Sequence, residues 1–456
     1  MRQLSPQAQQ IFNDGNLKMN AGDNKGAEDH FRLALLLEPD FAEAHANLGL
    51  MRERAASFVE AETHYRRAIA LQPGTVGIQL NLATMLLTLG RFAEAEIINR
   101  AALMLAPHSP NAWSGLGVLL VCLQQDEEAE RCYRESLRLD PTFSRARFNL
   151  SYVLLRQGRF EEGWAAMEAR DHYAHLTRHF TCPRWQGEPL AGKSLVIGVE
   201  GGHGDMIQFS RYARLLKEQS AGRITLIAHP GAAALMSRVD GIDEVIALNN
   251  HIAVDGWDYW TPPMSFPYWF HTREDTIPAR TPYLSAPPEL VDKWKKRLPH
   301  GIKIGLSWKG NPKFENDPAR SLPSLHTLAP LAAIGGVHFV SLQKGAGQDE
   351  ARTPPPGLRL LPFGAELGDF EDTAALAANM DLIISVDTAV AHLGGALGKP
   401  VWTLLSDYKA DWRWLTGRDY SPWYPGMRLF RQPRGGGWEG VIDEVAAALR
   451  AWTASL

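Results

Sequence analysis

The sequence predicts an α + α/β protein, an N-terminal α-solenoid of helical repeats followed by two Rossmann-like α/β domains. Three observations predict it. Pro39, Pro73, Pro107 and Pro141 stand 34 residues apart, the signature of a repeat array. Beyond about residue 192 short apolar runs alternate with amphipathic ones, the pattern of parallel strands joined by helices. The composition, 45% hydrophobic and 21% charged over 456 residues, belongs to a globular chain long enough for several cores.

Other columns keep the repeat register. Ala27, Ala61, Ala95 and Ala129 recur at the same spacing, as do Leu48, Leu82, Leu116 and Leu150. Gly15, Gly49, Ala83, Gly117 and Ser151 form a column of small residues. Small positions let paired helices approach closely, and each proline follows a helix that it cannot continue. The pattern resembles the tetratricopeptide repeat, with four full units from about Ala8 to Phe143 and a partial fifth in "SRARFNLSYVLLRQGRFEEGWAAMEAR". Asn13, Asn47, Asn81 and Asn149 share one repeat position, with Gly115 the departure. A ladder of amides there would either hold an extended acceptor peptide by its backbone or fix helix packing.

The solenoid is expected over 1–169 and a linker over 170–192, with α/β domains over 193–290 and 291–456, the second carrying a C-terminal tail. In the first, strand "KSLVIGVE" runs through the glycine turn "GGHGD" into helix "MIQFSRYARLLKEQ"; strand "RITLIAHP", helix "GAAALMSRV" and strand "EVIAL" follow. In the second, strand "KIGLSW" leads to a polar loop, helix "LHTLAPLAA", strand "HFVSLQ", helix "DTAALAANM", strand "DLIISV", helix "TAVAHLGGALG" and strand "VWTLLS". Two such halves leave a cleft lined by the carboxyl ends of their strands, a place for nucleotides.

Candidate residues cluster at those strand ends. If strand 381–386 ends in Asp387 and Thr388, these cap the next helix, whose free N–H groups suit phosphate. His392 follows on the same face, as a ligand contact or a core histidine. The loop "SWKGNPKFENDPARSLP" offers Lys309, Asn311, Lys313 and Arg320 to the charge of a departing diphosphate, with a solvated loop as the plain alternative. In the glycine turn, Asp205 is a proton acceptor or a helix cap, and His203 is the rival base. Gln343 ends a strand where it could meet a nucleobase edge or brace a loop. Of the aromatics in "DYKADWRWLTGRDYSPWYP", Trp412 is expected at the site rim and Trp414 in packing.

The segments "PRWQGEPLAGKSL", "GGHGDMIQFSRY", "GLSWKGNP", "NDPARSLP", "VSLQKG", "DLIISVDTAVAHLGGALGKPVW", "DWRWL" and "SPWYP" resemble the heptosyltransferase-like glycosyltransferases of the GT-B fold, above all bacterial ones preceded by tetratricopeptide repeats. Ala389 and His203 depart from that pattern. The resemblance implies inverting, metal-independent transfer from a nucleotide-sugar co-substrate without other cofactor. It places the acceptor side in the first α/β domain, with Asp205 as base, and the donor signature at Asp387, Thr388 and His392. Likeness to bacterial flagellin glycosyltransferases implies a protein acceptor such as flagellin. The rival readings are an inactive repeat scaffold and an enzyme acting on a lipopolysaccharide-type glycan.

With 47 basic and 51 acidic residues, no global field attracts nucleic acid. Three scattered cysteines make neither a disulfide framework nor a thiolate metal site, and His172, His175 and His179 read as linker residues. "MRQLSPQAQQ" does not resemble a signal peptide and no apolar run spans a bilayer, so a cytoplasmic location is expected.

Overall fold

A computed structural model describes residues 4–314 and 316–456. The chain divides into two compact units, the first ending at Val153 and the second beginning at Leu154.

The first unit is a stack of antiparallel helix pairs: α1 (Pro6–Asn20) with α2 (Asn24–Leu37), α3 (Ala42–Arg54) with α4 (Phe58–Leu71), α5 (Val76–Thr88) with α6 (Phe92–Leu105), and α7 (Pro110–Cys122) with α8 (Asp126–Leu139). The alanine column is fully buried on the second helices. The small column meets a ring column: a Cβ at Gly15 would lie 2.8 Å from Phe31, at Gly49 2.9 Å from Tyr65, and at Gly117 2.6 Å from Tyr133. Where the third repeat replaces the ring by Asn99, its partner is Ala83 rather than glycine. Helix approach is thus set by one small residue against one ring per repeat. Ser5, Asp23 and Ser109 cap α1, α2 and α7 with their side-chain oxygens.

Helix α9 (Ser144–Arg156) carries the chain into the second unit. The expected end of the solenoid at 169 differs from this division for a packing reason. Arg156 O accepts from Thr416 N at 3.0 Å. In α10 (Phe160–Met167), Trp164 donates to Thr272 O at 2.9 Å and meets Trp412 edge to face at 5.1 Å. Nor is 170–192 a bare tether. Arg170 is buried against Glu200 at 2.5 Å, and Leu176, in α11 (Ala174–His179), joins Phe180, Trp257 and Trp260 in one apolar cluster.

The first sheet orders its strands β3-β2-β1-β4, all parallel: β1 (Ser194–Ile197), β2 (Arg223–Ala228), β3 (Glu244–Ala247) and β4 (Tyr259–Thr261). Its helices are α12 (His203–Ser210), α13 (Tyr212–Glu218), α14 (Ala233–Met236) and α15 (Phe266–Trp269). The expected single helix after the glycine turn is therefore two, parted at Arg211.

After α16 (Pro288–Lys295) comes the seven-stranded sheet β10-β11-β9-β8-β5-β6-β7. Its strands are β5 (Ile302–Ser307), β6 (Val337–Ser341), β7 (Leu360–Leu361), β8 (Leu382–Val386), β9 (Val401–Leu405), β10 (Tyr420–Ser421) and β11 (Tyr424–Arg431). All neighbours are parallel except β10 and β11. The helices are α17 (Asp317–Arg320), α18 (Phe370–Ala378), α19 (Ala389–Ala396) and α20 (Glu439–Ala454). Strand residues Ile304, Leu306, Ile384 and Phe430 pack with Ile442 and Val445 of α20 in one core. "LHTLAPLAA" is a 3-10 stretch rather than an α-helix, with Pro330 inside it.

Candidate active site

The site forms where α12, from the first sheet, packs on α19, from the second. Strand β1 ends in a turn that Gly201 makes at φ 75°, and α12 starts at His203. Asp205 sits three residues into that helix, with Oδ2 accepting from Gly202 N at 2.7 Å. This is the helix-cap contact, one of the two roles that the sequence leaves open for it. Its Oδ1 has another partner, the Arg413 guanidinium from the segment after β9. His203 stacks on Phe370 at 4.7 Å and tilts against His229 at 4.7 Å. Burial, with His229 adding to it, pushes this imidazole down to about 4. The usual advantage of an imidazole over a carboxylate as a base near neutrality is thereby lost.

Across the contact, β8 ends in Asp387 and Thr388. Thr388 caps α19 by accepting from Val390 N at 3.3 Å, and its hydroxyl lies 3.2 Å from Ser385 Oγ. His392 is buried, 2.9 Å from the Tyr424 hydroxyl through Nδ1 and stacked on Trp414 at 5.3 Å. Burial, then Arg413, Arg211 and Arg320, hold its imidazole well below the usual range, so it is neutral. Desolvation and Asp411 push the Asp387 carboxyl up to about 6, against the pull of the Trp414 indole, Arg320 and Arg413. Trp414 Nε1 is buried and makes no hydrogen bond of good geometry among the described residues.

The cations divide. Arg320 acts on both Asp387 and His392, while its Nε lies 3.3 Å from Asp317 and its guanidinium 4.3 Å over the Phe314 ring. Lys309 is turned elsewhere, with Nζ 2.9 Å from Pro323 O and 3.5 Å from Glu350. Exposed Asn311 accepts from Lys313 N at 3.1 Å, closing its own loop.

Two expectations need correction. Gln343 does not present its amide to a nucleobase: Oε1 accepts from Trp308 N and Lys309 N, both at 2.9 Å, and Nε2 donates to Lys309 O at 3.0 Å and Ala346 O at 2.8 Å. With donors and acceptor spent on backbone it is a loop brace. Trp412 is not at a rim but 1% exposed, wedged against Trp164 and Trp423; Trp414 is the one that touches the site.

In the solenoid, Asn13 and Asn81 are exposed and Asn47 donates to Asn16 Oδ1 of the preceding repeat at 2.7 Å. Asn149 is half-buried. Among the described residues no cluster of three His, Cys, Asp or Glu could hold a metal ion, and no helix is long and apolar enough to cross a membrane. Sequence reasoning assigned no role to Arg413; its only local signal is its place within "DWRW".

Comparison with known proteins decides the family of the parts. Residues 12–75, 54–119, 110–143 and 132–165 match models of the tetratricopeptide repeat, and 366–411 match glycosyltransferase family 9 (heptosyltransferase). The chain carries tetratricopeptide repeats and a glycosyltransferase family 9 domain. The family 9 match contains Asp387, Thr388, His392 and Asp411. Protein FlbA of Caulobacter vibrioides is 33% identical over 335 residues, 68% of this chain; the chain spans 55% of that relative's length. Among solved structures, Pseudomonas aeruginosa PilF is 17% identical over 47% of this chain and 86% of its own, with a TM-score of 0.36. MamA of Desulfovibrio magneticus is 18% identical over 39% and 98%, with a TM-score of 0.32. Scores that low carry no argument.

Proposed function

We propose that this chain is an inverting, metal-independent glycosyltransferase that moves a sugar from a nucleotide-sugar donor to serine or threonine hydroxyls of a protein acceptor held by its repeats. The observation that carries this reading is the juxtaposition, through α12 on α19, of the carboxylate Asp205 with the capped helix terminus at Asp387 and Thr388. Asp205 takes the proton of the acceptor hydroxyl, whose oxygen forms the new bond at the anomeric carbon. The bond from that carbon to the phosphate oxygen breaks, and the electron pair leaves with the nucleotide. The first N–H groups of α19 and the Arg320 guanidinium offset the charge that develops there. Asp387, raised to about 6, suits hydrogen bonding to sugar hydroxyls better than contact with phosphate. Exposed Asn13 and Asn81 support acceptor binding on the solenoid, and the resemblance to flagellin-modifying enzymes makes flagellin the acceptor class to test first.

The test is a thermal-shift panel with UDP, GDP, ADP, CMP and their sugar conjugates on wild type, Arg320→Ala and Asp205→Asn. One nucleotide stabilising wild type and Asp205→Asn but not Arg320→Ala, with transfer to flagellin abolished in Asp205→Asn, is the expected result. No shift with any nucleotide would leave the repeat scaffold as the better reading. Transfer to a lipopolysaccharide-type glycan but not to protein would reassign the acceptor.

A further inference from the structure

We propose that Arg413 is the residue that positions Asp205 for proton transfer, an inference that rests on Asp205 being the base. As a helix cap Asp205 needs one oxygen, and Gly202 N supplies its partner at 2.7 Å. The second oxygen is met by a guanidinium 208 positions further along the chain, on the other sheet's side of the site. A cap does not require that contact.

The guanidinium is itself held from several sides. Nη1 lies 3.0 Å from both carboxylate oxygens of Asp411, Nε donates to Gln208 Oε1, and Nη2 donates to Asp205 Oδ1. Its carbon lies 4.4 Å from the Trp412 ring centre and 5.4 Å from that of Phe209. Only 7% of the side chain is exposed. A planar fork with its donors in fixed directions transmits the orientation of Asp411 to Asp205, which a flexible ammonium would do only in part. Gln208 Oε1 accepts from Arg413 Nε, and its buried Nε2 has no hydrogen-bond partner among the described residues. Arg413 thus couples the base on α12 to the Asp411 end of the donor side. It acts through Asp205 and is a positioning residue.

The experiment measures kcat and KM of the full-length chain for hydrolysis of UDP-N-acetylglucosamine, ADP-heptose and CMP-N-acetylneuraminate, with water replacing the acceptor. Wild type is compared with Arg413→Met, Arg413→Lys, Asp205→Asn and the Asp205→Asn/Arg413→Met double variant. The expected result is a fall of about 100-fold in kcat for Arg413→Met with donor KM within about threefold, partial recovery in Arg413→Lys, and no loss in the double variant beyond that of Asp205→Asn. Near-normal kcat in Arg413→Met beside an inactive Asp205→Asn would overturn this inference alone. So would a rise in donor KM without loss of kcat, or further slowing in the double variant. Wild-type rates in Asp205→Asn, or no turnover of any donor by wild type, would overturn the base assignment and this inference with it. Should Arg413→Met not fold, Asp411→Asn leaves the guanidinium in place and is expected to lower kcat about tenfold; unchanged kcat there overturns the inference equally.

Discussion

Gly204 and His392 touch across the two sheets: a Cβ added at 204 would lie 2.8 Å from His392 Cδ2 and 3.6 Å from the Ala389 backbone. The imidazole cannot give way easily, since Tyr424 holds one side and Trp414 the other. Gly204→Ala should therefore lose about 1–3 kcal/mol to overpacking, against at most about 1 kcal/mol recovered from helix propensity. Urea denaturation measures the balance. A variant more stable than wild type would show that α12 and α19 have room to separate.

Asp387 should be a residue that the fold would be more stable without. Its folded-state carboxyl is raised from 3.8 to about 6, so between those values the folded chain binds the extra proton and stability falls as pH rises. Asp387→Asn is expected to raise Tm at pH 7.5, with the difference disappearing near pH 4, while donor-induced stabilisation is lost. A lower Tm at pH 7.5 would contradict this.

The half-buried His203 and the buried His392 predict the opposite slope. His203 is lowered from 6.5 to about 4 and His392 is lowered well below 6.5, so in that range the unfolded chain binds more protons. Their contribution to stability is lost as pH falls below 6.5. His203→Gln should flatten the fall in Tm between pH 6.5 and 4; equal slopes would locate the effect elsewhere.

Gln343→Leu should loosen the loop after β5. Trp308 N and Lys309 N lose their acceptor, and each buried unpaired amide costs about 1–3 kcal/mol. The expected outcome is a stability loss of about 2–4 kcal/mol by denaturant titration, with faster amide exchange at 308 and 309. Weakened nucleotide binding at unchanged stability would restore a ligand role for this residue.

On the solenoid, Asn13→Ala with Asn81→Ala should weaken binding of a protein acceptor about 5- to 150-fold, from two hydrogen bonds of about 0.5–1.5 kcal/mol each. Donor hydrolysis is expected to stay at the wild-type rate. Unchanged acceptor affinity, read by titration calorimetry, would reduce this column to helix packing.

How legible this protein is depends on the range of the interaction concerned. The repeat period could be read because each helix pair meets only its neighbours, so the same packing demand returns every 34 residues. Even the Gly49–Tyr65 and Gly117–Tyr133 contacts leave a trace, in the substitution of Ala83 where Asn99 replaces the ring. Parallel strands and the capped helix at Thr388 were likewise visible, because strand burial and N-capping are short-range effects.

Tertiary packing decided the rest. Trp412 and Trp414 are two residues apart in an aromatic stretch, and nothing local says which is wedged against Trp164 and which faces Asp387. Gln343 looks equally suited to a base edge or a backbone, until the β5 loop closes on both ends of its amide. The pairing of Asp205 with Arg413 has no periodicity to betray it. Period and capping follow from forces between near neighbours in the chain, and so they are written in residue order. A contact between side chains 208 positions apart follows from how two sheets pack, which no stretch of residues records alone.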